Sequence, residues 1–439
     1  MAALHTTKAL CPLCDRVLPA ELCERGGDVF LELHCPEHGA ASTLYFRDAG
    51  LYCKLAALRN PVTCCESFDC ARGEPCAFRE RRTMIYMLNV TNNCNMSCAS
   101  CLSGALQGEP EPYAPAPELV GQLPDARRLA HRPHAVFFGG EPTMHPELAS
   151  MIRRAAALGY VPRVATNGLA LADPEYVRIL AAAGLGWVFL HFDSLDDERN
   201  RHLRGRPMVQ TCLAAMRNAR QAGMRVQLGA TVTGETLDEV GRLIRFAHDN
   251  GAFWISLYPA AEIERSGDRD GLTYLADLVN AVEAQTRGQV ARQDFLACAR
   301  LWSRLYRLTG RNNFRQKPTM LSVPLVVSGD ELVPVNRLIH PLGAARRPGA
   351  SARLIRALPS LWDYERRAPA PDTLVINIQQ FQGRRAFDLE ESVHSLMSYA
   401  HHGSWYAFDI YNHLHRWAAE AQPGCDRIAC GTAPARGRE

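Results

Sequence analysis

From residue 84 onward the chain predicts an α/β protein built on a parallel sheet, on two observations. β-rich runs recur at 84–90, 134–138, 161–166, 187–192, 225–232 and 253–258, with helical patterns between them at 146–158, 174–183, 208–222 and 237–249. Strands that alternate with helices in this way build βαβ units. The helix ends are also punctuated as such units require. Asp173-Pro174 places a capping carboxylate before a first-turn proline, and Ala183-Gly184 and Ala222-Gly223 close helices on glycine. Six strand–helix units therefore fill residues 84–260.

The flanking regions read differently. Residues 1–52 form a small metal-knuckle unit, with Cys11-Pro12-Leu13-Cys14 as one knuckle and Cys35-Pro36-Glu37-His38-Gly39 as its partner. Residues 28–33 alternate like a strand and 42–46 can pair with them. So short a unit offers little apolar core, and a bound metal is expected to supply its folding energy. Residues 53–83 are a cysteine-rich linker without periodicity. The C-terminal extension, 261–439, carries helical patterns at 272–287 and 296–308, then a hairpin of 321–327 and 332–335 around Ser328-Gly329-Asp330. An Arg-, Ala- and Pro-rich stretch at 343–371 predicts a loop or linker, structured segments follow at 374–378, 389–400 and 405–417, and the last dozen residues predict disorder.

Composition narrows the classes. At 439 residues with 47% hydrophobic and 22% charged, the chain can bury a core of ordinary size with appendages. A net charge of +3, with Lys and Arg scattered, predicts no nucleic-acid partner. No apolar run reaches the roughly 18 residues of a spanning helix and the N-terminus has no signal-peptide core, so a cytoplasmic protein is expected. Twelve of the 16 cysteines fall in the first 101 residues. In a reducing compartment such clustered spacings point to metal rather than disulfides.

The stretch from Asn93 to Cys101 carries the chemistry. Cys94, Cys98 and Cys101, spaced Cys-x3-Cys-x2-Cys, offer three thiolates from one tight loop. A [4Fe–4S] cluster bound by three thiolates keeps one iron open to a small chelating molecule. The competing reading, a zinc knuckle, needs a fourth ligand to close its tetrahedron. At the next strand end, Phe137-Phe138 runs into Gly139-Gly140-Glu141-Pro142, a turn with room for close approach and one carboxylate. Triplet and turn together resemble the radical S-adenosylmethionine (SAM) superfamily.

That resemblance implies a partial (β/α)6 barrel with an open iron that chelates SAM. Glu141 would then accept from the SAM amine, beside the close backbone approach that Gly139 and Gly140 allow, with Thr166 and Asn167 near the methionyl group and Asp193 and Ser194 near the ribose; helix N-caps are the competing reading of these last four. The residue before the third cysteine, often apolar or aromatic in the superfamily, is Ser100 here.

A narrower resemblance rests on Cys-Pro-Leu-Cys, Cys-Pro-Glu-His-Gly, Asn89-Val90-Thr91-Asn92-Asn93-Cys94-Asn95 and His202-Leu203-Arg204-Gly205-Arg206-Pro207. These are similar to the subfamily that contains the archaeal tetraether lipid synthase and the methanogen dihydropterin methylase. It implies a rubredoxin-like mononuclear site at Cys11, Cys14 and Cys35, with His38 or another cysteine as the fourth ligand. Three thiolates plus imidazole favour zinc, and an all-thiolate set suits iron or zinc. It also implies an auxiliary [4Fe–4S] cluster at Cys65, Cys70 and Cys76, with structural zinc as the competing reading and Cys64 to spare. The family's third cluster lacks its cysteines here, and only Cys298 sits near a family position. Cys425 and Cys430 read as tail thiols and Cys212 as a core residue. His394, His401, His402, His413 and His415 read as a solvated helix face, with the lining of a site as the competing reading.

The function expected is a radical SAM enzyme, a transferase in class. It would cleave SAM reductively to a 5′-deoxyadenosyl radical, which abstracts hydrogen from an unactivated carbon of a small molecule or lipid. C–C bond formation, methylation or rearrangement would follow, with ferredoxin or flavodoxin as electron donor. The competing readings are a peptide-modifying maturase and a non-catalytic iron–sulfur electron carrier.

Overall fold

The structure is a computed structural model that describes residues 3–14, 16–59, 83–99, 101, 103–105, 111–129, 132–260, 271–308, 317–339, 345, 347–362, 370–401 and 404–415. The auxiliary cysteines, Cys425, Cys430, Ser100, His402 and the C-terminal dozen lie outside the described residues.

The N-terminal unit is a four-stranded antiparallel meander: β1 Ala3–Leu10, β2 Val17–Arg25, β3 Asp28–Cys35 and β4 Gly39–Phe46. It has more core than its length suggests. Leu22, Val29, Leu31, Leu33, Tyr45 and Phe46 are buried with Leu51, Tyr52 and Leu55 of the helix Ala49–Ala56. That following helix, not metal alone, covers one face of the sheet, because β3 alternates buried and half-buried residues.

The main sheet begins with the six strands read from the sequence: β5 Ile85–Thr91, β6 His134–Gly139, β7 Val161–Thr166, β8 Trp187–His191, β9 Arg225–Val232 and β10 Trp254–Pro259. They pair in parallel and in chain order. The helices Leu148–Ala157, Pro174–Ala182, Val209–Gln221 and Val240–Asp249 fall where the periodicity places them. Asp173 caps its helix through the amide of Glu175, as its place before Pro174 demands.

The extension completes this sheet rather than standing apart. β11 Met320–Ser328 and β12 Glu331–Pro334 form the expected hairpin, and β13 Thr373–Gln379 inserts between β10 and β11, parallel to β10. At the other side β14 Met397–His401 runs parallel to β5, and β15 Ser404–Ala407 folds back antiparallel on β14. The result is one open sheet of 11 strands. Thus 389–400 divides into a four-residue helix, Leu389–Ser392, and a strand. Sequence periodicity cannot show such long-range edge pairing.

Two expectations are corrected. The 343–371 stretch contains a helix, Pro348–Trp362, whose Ala350 and Leu354 pack with Val326, Val333, Val335 and Leu338. Pro348 opens that helix, and Ala, Leu and Arg are strong helix formers, so its composition is that of a helix. His394 and His413 are buried rather than solvated, and a ring nitrogen of His413 meets the carbonyl of Gln382 at 2.8 Å. Cys212 is a core residue as expected, and Cys298 is buried with its thiol on Asn336 Oδ1 at 3.4 Å.

Along β8, Val188 and Leu190 face the helix-covered core, whereas Phe189 and His191 share the opposite, interior face. On that side Met87 and Val136 pack with Tyr399 and Phe408. Tyr258, Phe381 and Phe408 stack in series with ring centroids 5.1 Å and 4.7 Å apart. Beside Phe408, Asp409 is 7% exposed, and burial lifts its carboxyl to about 6 against the opposing pull of Lys317.

A carboxyl raised in the fold loses stability as pH climbs from its unfolded value near 4 to its folded value, and keeps that full cost above the window. Asp409→Asn is therefore expected to gain up to about 3 kcal/mol at pH 8 and nothing near pH 4. Urea denaturation at the two pH values measures this.

Candidate active site and metal centre

Because β5 to β8 run parallel, the turns after them gather at one edge of the sheet. The loop carrying Cys94, Cys98 and Cys101 leaves β5 there, with all three cysteines half-buried. It is held on its first side by the turn after β6. The amide of Gly140 donates to Thr91 O at 2.7 Å and that of Glu141 to Asn93 O at 2.8 Å. A Cβ on Gly139 would stand 2.2 Å from Thr91 O, and one on Gly140 would stand 2.1 Å from Asn93 O. Gly139 also sits at φ 139°, a conformation that favours glycine. The close approach read from the sequence is thus an approach to the cysteine loop itself. Asn93 fixes a second stretch: its side chain exchanges hydrogen bonds with the backbone of Glu111, at 2.8 and 2.9 Å.

Glu141 is 1% exposed. Its carboxylate accepts from Thr143 N at 3.1 Å, Thr143 Oγ1 at 2.5 Å, Thr166 Oγ1 at 2.7 Å and Asn167 N at 2.8 Å. Burial pushes this carboxyl up from its ordinary value, against the pull of those donors. Glu141 therefore ties the end of β6 to that of β7. Asn167 in turn donates from Nδ2 to Asn95 Oδ1 at 2.8 Å, back onto the cysteine loop.

On the other side the loop meets the helix Asp197–Arg204. The amide of Ala99 donates to Leu203 O at 3.1 Å. Gly205, at φ 78°, ends the helix so close to the loop that a Cβ there would stand 2.4 Å from Ser97 Oγ. Arg204 donates from Nη1 to Cys98 Sγ at 3.6 Å and from Nε to Asp193 Oδ2 at 2.5 Å. Asp193 Oδ1 accepts the amide of Thr231 at 2.8 Å, and Ser194 Oγ donates to the buried Glu239 at 2.7 Å. Asp193 and Ser194, expected near a ribose, thus both have partners within the protein.

Sequence reasoning passed over two residues. Arg204 lay inside a motif read only for resemblance. His191 follows Phe189 by two on the interior face, and that alternation was the available signal. Its Nδ1 is buried without a hydrogen-bond partner among the described residues. Burial, and then the charge of Arg204, bring its ring down to about 4, so it is neutral at pH 7.

A second centre lies in the N-terminal meander. Cys11 and Cys14 flank the β1–β2 turn, and Cys35 and His38 flank the β3–β4 turn. Their four donor atoms lie within 4.8 Å of one another. Cys14 Sγ is 3.9 Å from Cys35 Sγ, and His38 Nδ1 is 3.7 Å from Cys11 Sγ and 3.4 Å from Cys35 Sγ. Zinc–sulfur bonds of about 2.3 Å set tetrahedral edges of about 3.8 Å, so the set fits zinc. His38 supplies the fourth donor, and the all-thiolate, rubredoxin-like alternative is not what the geometry presents. Burial works to raise the Cys35 thiol, but the amides of Glu37 and His38 and the His38 ring outweigh it and bring it to about 6. Among the described residues this is the one group gathered at single-ion spacing.

Comparison with known proteins matches two stretches of the chain. Residues 88–247 match the Radical SAM superfamily, and residues 3–47 match the HMPTM N-terminal zinc ribbon domain. The chain is 28% identical over 308 residues to the 7,8-dihydro-6-hydroxymethylpterin dimethyltransferase of Methanocaldococcus jannaschii, covering 66% of this chain and 60% of that protein. It is 32% identical over 183 residues to a GTP 3′,8-cyclase of Ectopseudomonas mendocina, covering 39% and 52%. The chain thus spans between about half and three-fifths of the length of these relatives. Among solved structures, Streptococcus suis SuiB bound to S-adenosylmethionine is 20% identical over 47% of each chain, with a TM-score of 0.40, too low to carry an argument.

Two outcomes follow from the geometry. Gly140→Ala should displace the cysteine loop and reduce iron uptake on reconstitution more than two-fold, with zinc content unchanged, as metal analysis would read. Cys35→Ser should lose about one equivalent of zinc and leave iron uptake in place.

Proposed function

We propose that this chain, which belongs to the radical SAM superfamily through residues 88–247, is an enzyme that cleaves SAM reductively to act on an unactivated carbon of a small molecule. Cys94, Cys98 and Cys101 would hold a [4Fe–4S] cluster, with SAM at the strand ends beside it. When bound, these groups supply a 5′-deoxyadenosyl radical that abstracts hydrogen from the substrate. The single observation that carries the reading is the loop of three half-buried cysteines fixed from both sides at the C-terminal strand edge. Ligand sites of parallel α/β sheets lie at this edge.

The chain's own residues prepare the site. Glu141, Thr166 and the amide of Asn167 hold the ends of β6 and β7 in register, which fixes the backbone that would meet SAM. Neutral His191 presents an acceptor toward the interior. That wall also carries polar groups: Gln227 Nε2 donates to Ser256 Oγ at 3.0 Å, and Ser322 Oγ donates to Asn377 Oδ1 at 2.8 Å. A wall that mixes such groups with Phe189, Tyr258 and Phe381 suits a ring-bearing polar molecule better than an alkyl chain. The name of the 28% relative makes a 7,8-dihydropterin the first substrate to try and a methyl transfer the first outcome to look for. The electron would come from a ferredoxin or flavodoxin.

Anaerobically reconstituted protein, reduced with dithionite, is expected to release 5′-deoxyadenosine from SAM, and Cys94→Ala to release none. Absence of release from protein with an intact cluster would sink the reading. Added 7,8-dihydropterin should raise the release several-fold, whereas an equal rate with and without it removes that substrate.

A further inference from the structure

We propose that Arg204 is the hydrogen-bond donor that sets the reduction potential of the cluster, and that Asp193 is the positioning residue that aims it. The inference rests on the cluster reading above.

Three observations place the guanidinium. The helix Asp197–Arg204 ends on the cysteine loop, since Leu203 O takes the amide of Ala99 and Gly205 lies against Ser97. Arg204 is consequently the last helical residue beside Cys98, with its side chain 14% exposed. Its fork is divided: Nε goes to the Asp193 carboxylate and Nη1 to the Cys98 sulfur. Asp193 itself is 3% exposed and cannot swing away, because its other oxygen takes the amide of Thr231.

A planar guanidinium held at one edge by a fixed carboxylate has its free N–H groups aimed in one direction. Here that direction is a cluster ligand. Hydrogen bonds to cluster sulfurs and nearby positive charge favour the more negative, reduced state and raise the potential. The helix end works the other way, since its C-terminal carbonyls carry partial negative charge toward the same loop. Arg204 supplies the cation that offsets it. A lysine reaches as far but lacks the fork, so it cannot serve carboxylate and sulfur together with the same geometry.

The experiment is a redox titration of full-length reconstituted protein, without SAM, followed by electron paramagnetic resonance. The signal of this cluster is identified as the one absent from Cys94→Ala. With Arg204→Gln, the ratio of reduced to oxidised cluster at a fixed potential should fall at least ten-fold, a downward shift of about 59 mV for one electron. Arg204→Lys should recover part of the shift, and Asp193→Glu, which keeps the charge but misplaces the fork, should move it in the same direction as Arg204→Gln. An intact cluster with an unchanged midpoint in Arg204→Gln overturns the inference. If that variant takes up no iron, an unchanged midpoint in Asp193→Glu overturns it equally. A wild-type protein that forms no such cluster fails the underlying reading instead, and iron analysis before titration separates the two.

Discussion

Backbone pressed on backbone at the end of β6 is the constraint from which the site is built. Any side chain at Gly140 would occupy the place of Asn93 O, so glycine is what lets β6 and the cysteine loop share one hydrogen-bonded seam. With the seam closed, Glu141 is carried into the interior. Burying a carboxylate is costly unless donors surround it, and four do, two of them from the end of β7. The circuit then returns through Asn167 to Asn95. The loop is thus fixed by a closed ring of contacts on one side and by the helix end at Leu203–Gly205 on the other. Such fixation is what a loop must have if three sulfurs are to stand at preset positions before metal arrives.

The far side of the sheet is shaped by the N-terminal unit. β1 and β4 dock on the segment after β13: Thr7 Oγ1 and the Tyr45 hydroxyl both reach the Asp388 carboxylate, and Gln380 Nε2 donates to Tyr45 O. Arg59 adds an ion pair to the buried Glu391 at 3.4 Å. The docked segment is the one that brings Phe381 between Tyr258 and Phe408. A metal held by Cys11, Cys14, Cys35 and His38 would stiffen the two turns of the meander that docks on this segment.

How far the sequence could be read depended on the range of the interaction. The six parallel strands, the helices between them and the Asp173 cap are local patterns, and each stands within a few residues of its expected place. The cysteine triplet and the glycine turn were legible because spacing alone limits what they can do. The insertion of β13 between β10 and β11, and the pairing of β14 with β5, depend on contacts from some tens to several hundred residues apart and leave no period in the chain. The helix Pro348–Trp362 lies in a stretch whose arginines and prolines have the composition of a linker, although its proline falls at the first helical position. Asp193 and Ser194 were placed by resemblance at a ligand. The partners they hold, Arg204, Thr231 and Glu239, come from other elements and could not be seen one strand at a time.

The two cysteine sites show how one residue type can serve two chemistries. In the meander, two tight turns face each other, and each gives a pair of donors three positions apart. Opposed turns converge, so four donors meet at distances of 3.4 to 3.9 Å where these are recorded, the edges of a single-ion tetrahedron. After β5 the three cysteines come from one turn. Its sulfurs are spread along a loop whose backbone is already committed to Gly140, Glu141 and Leu203. Three thiolates from one loop suit the corners of a [4Fe–4S] cube and would leave one iron open to a small chelating molecule. The backbone bonds to Gly140, Glu141 and Leu203 would hold that loop in place before any metal arrives.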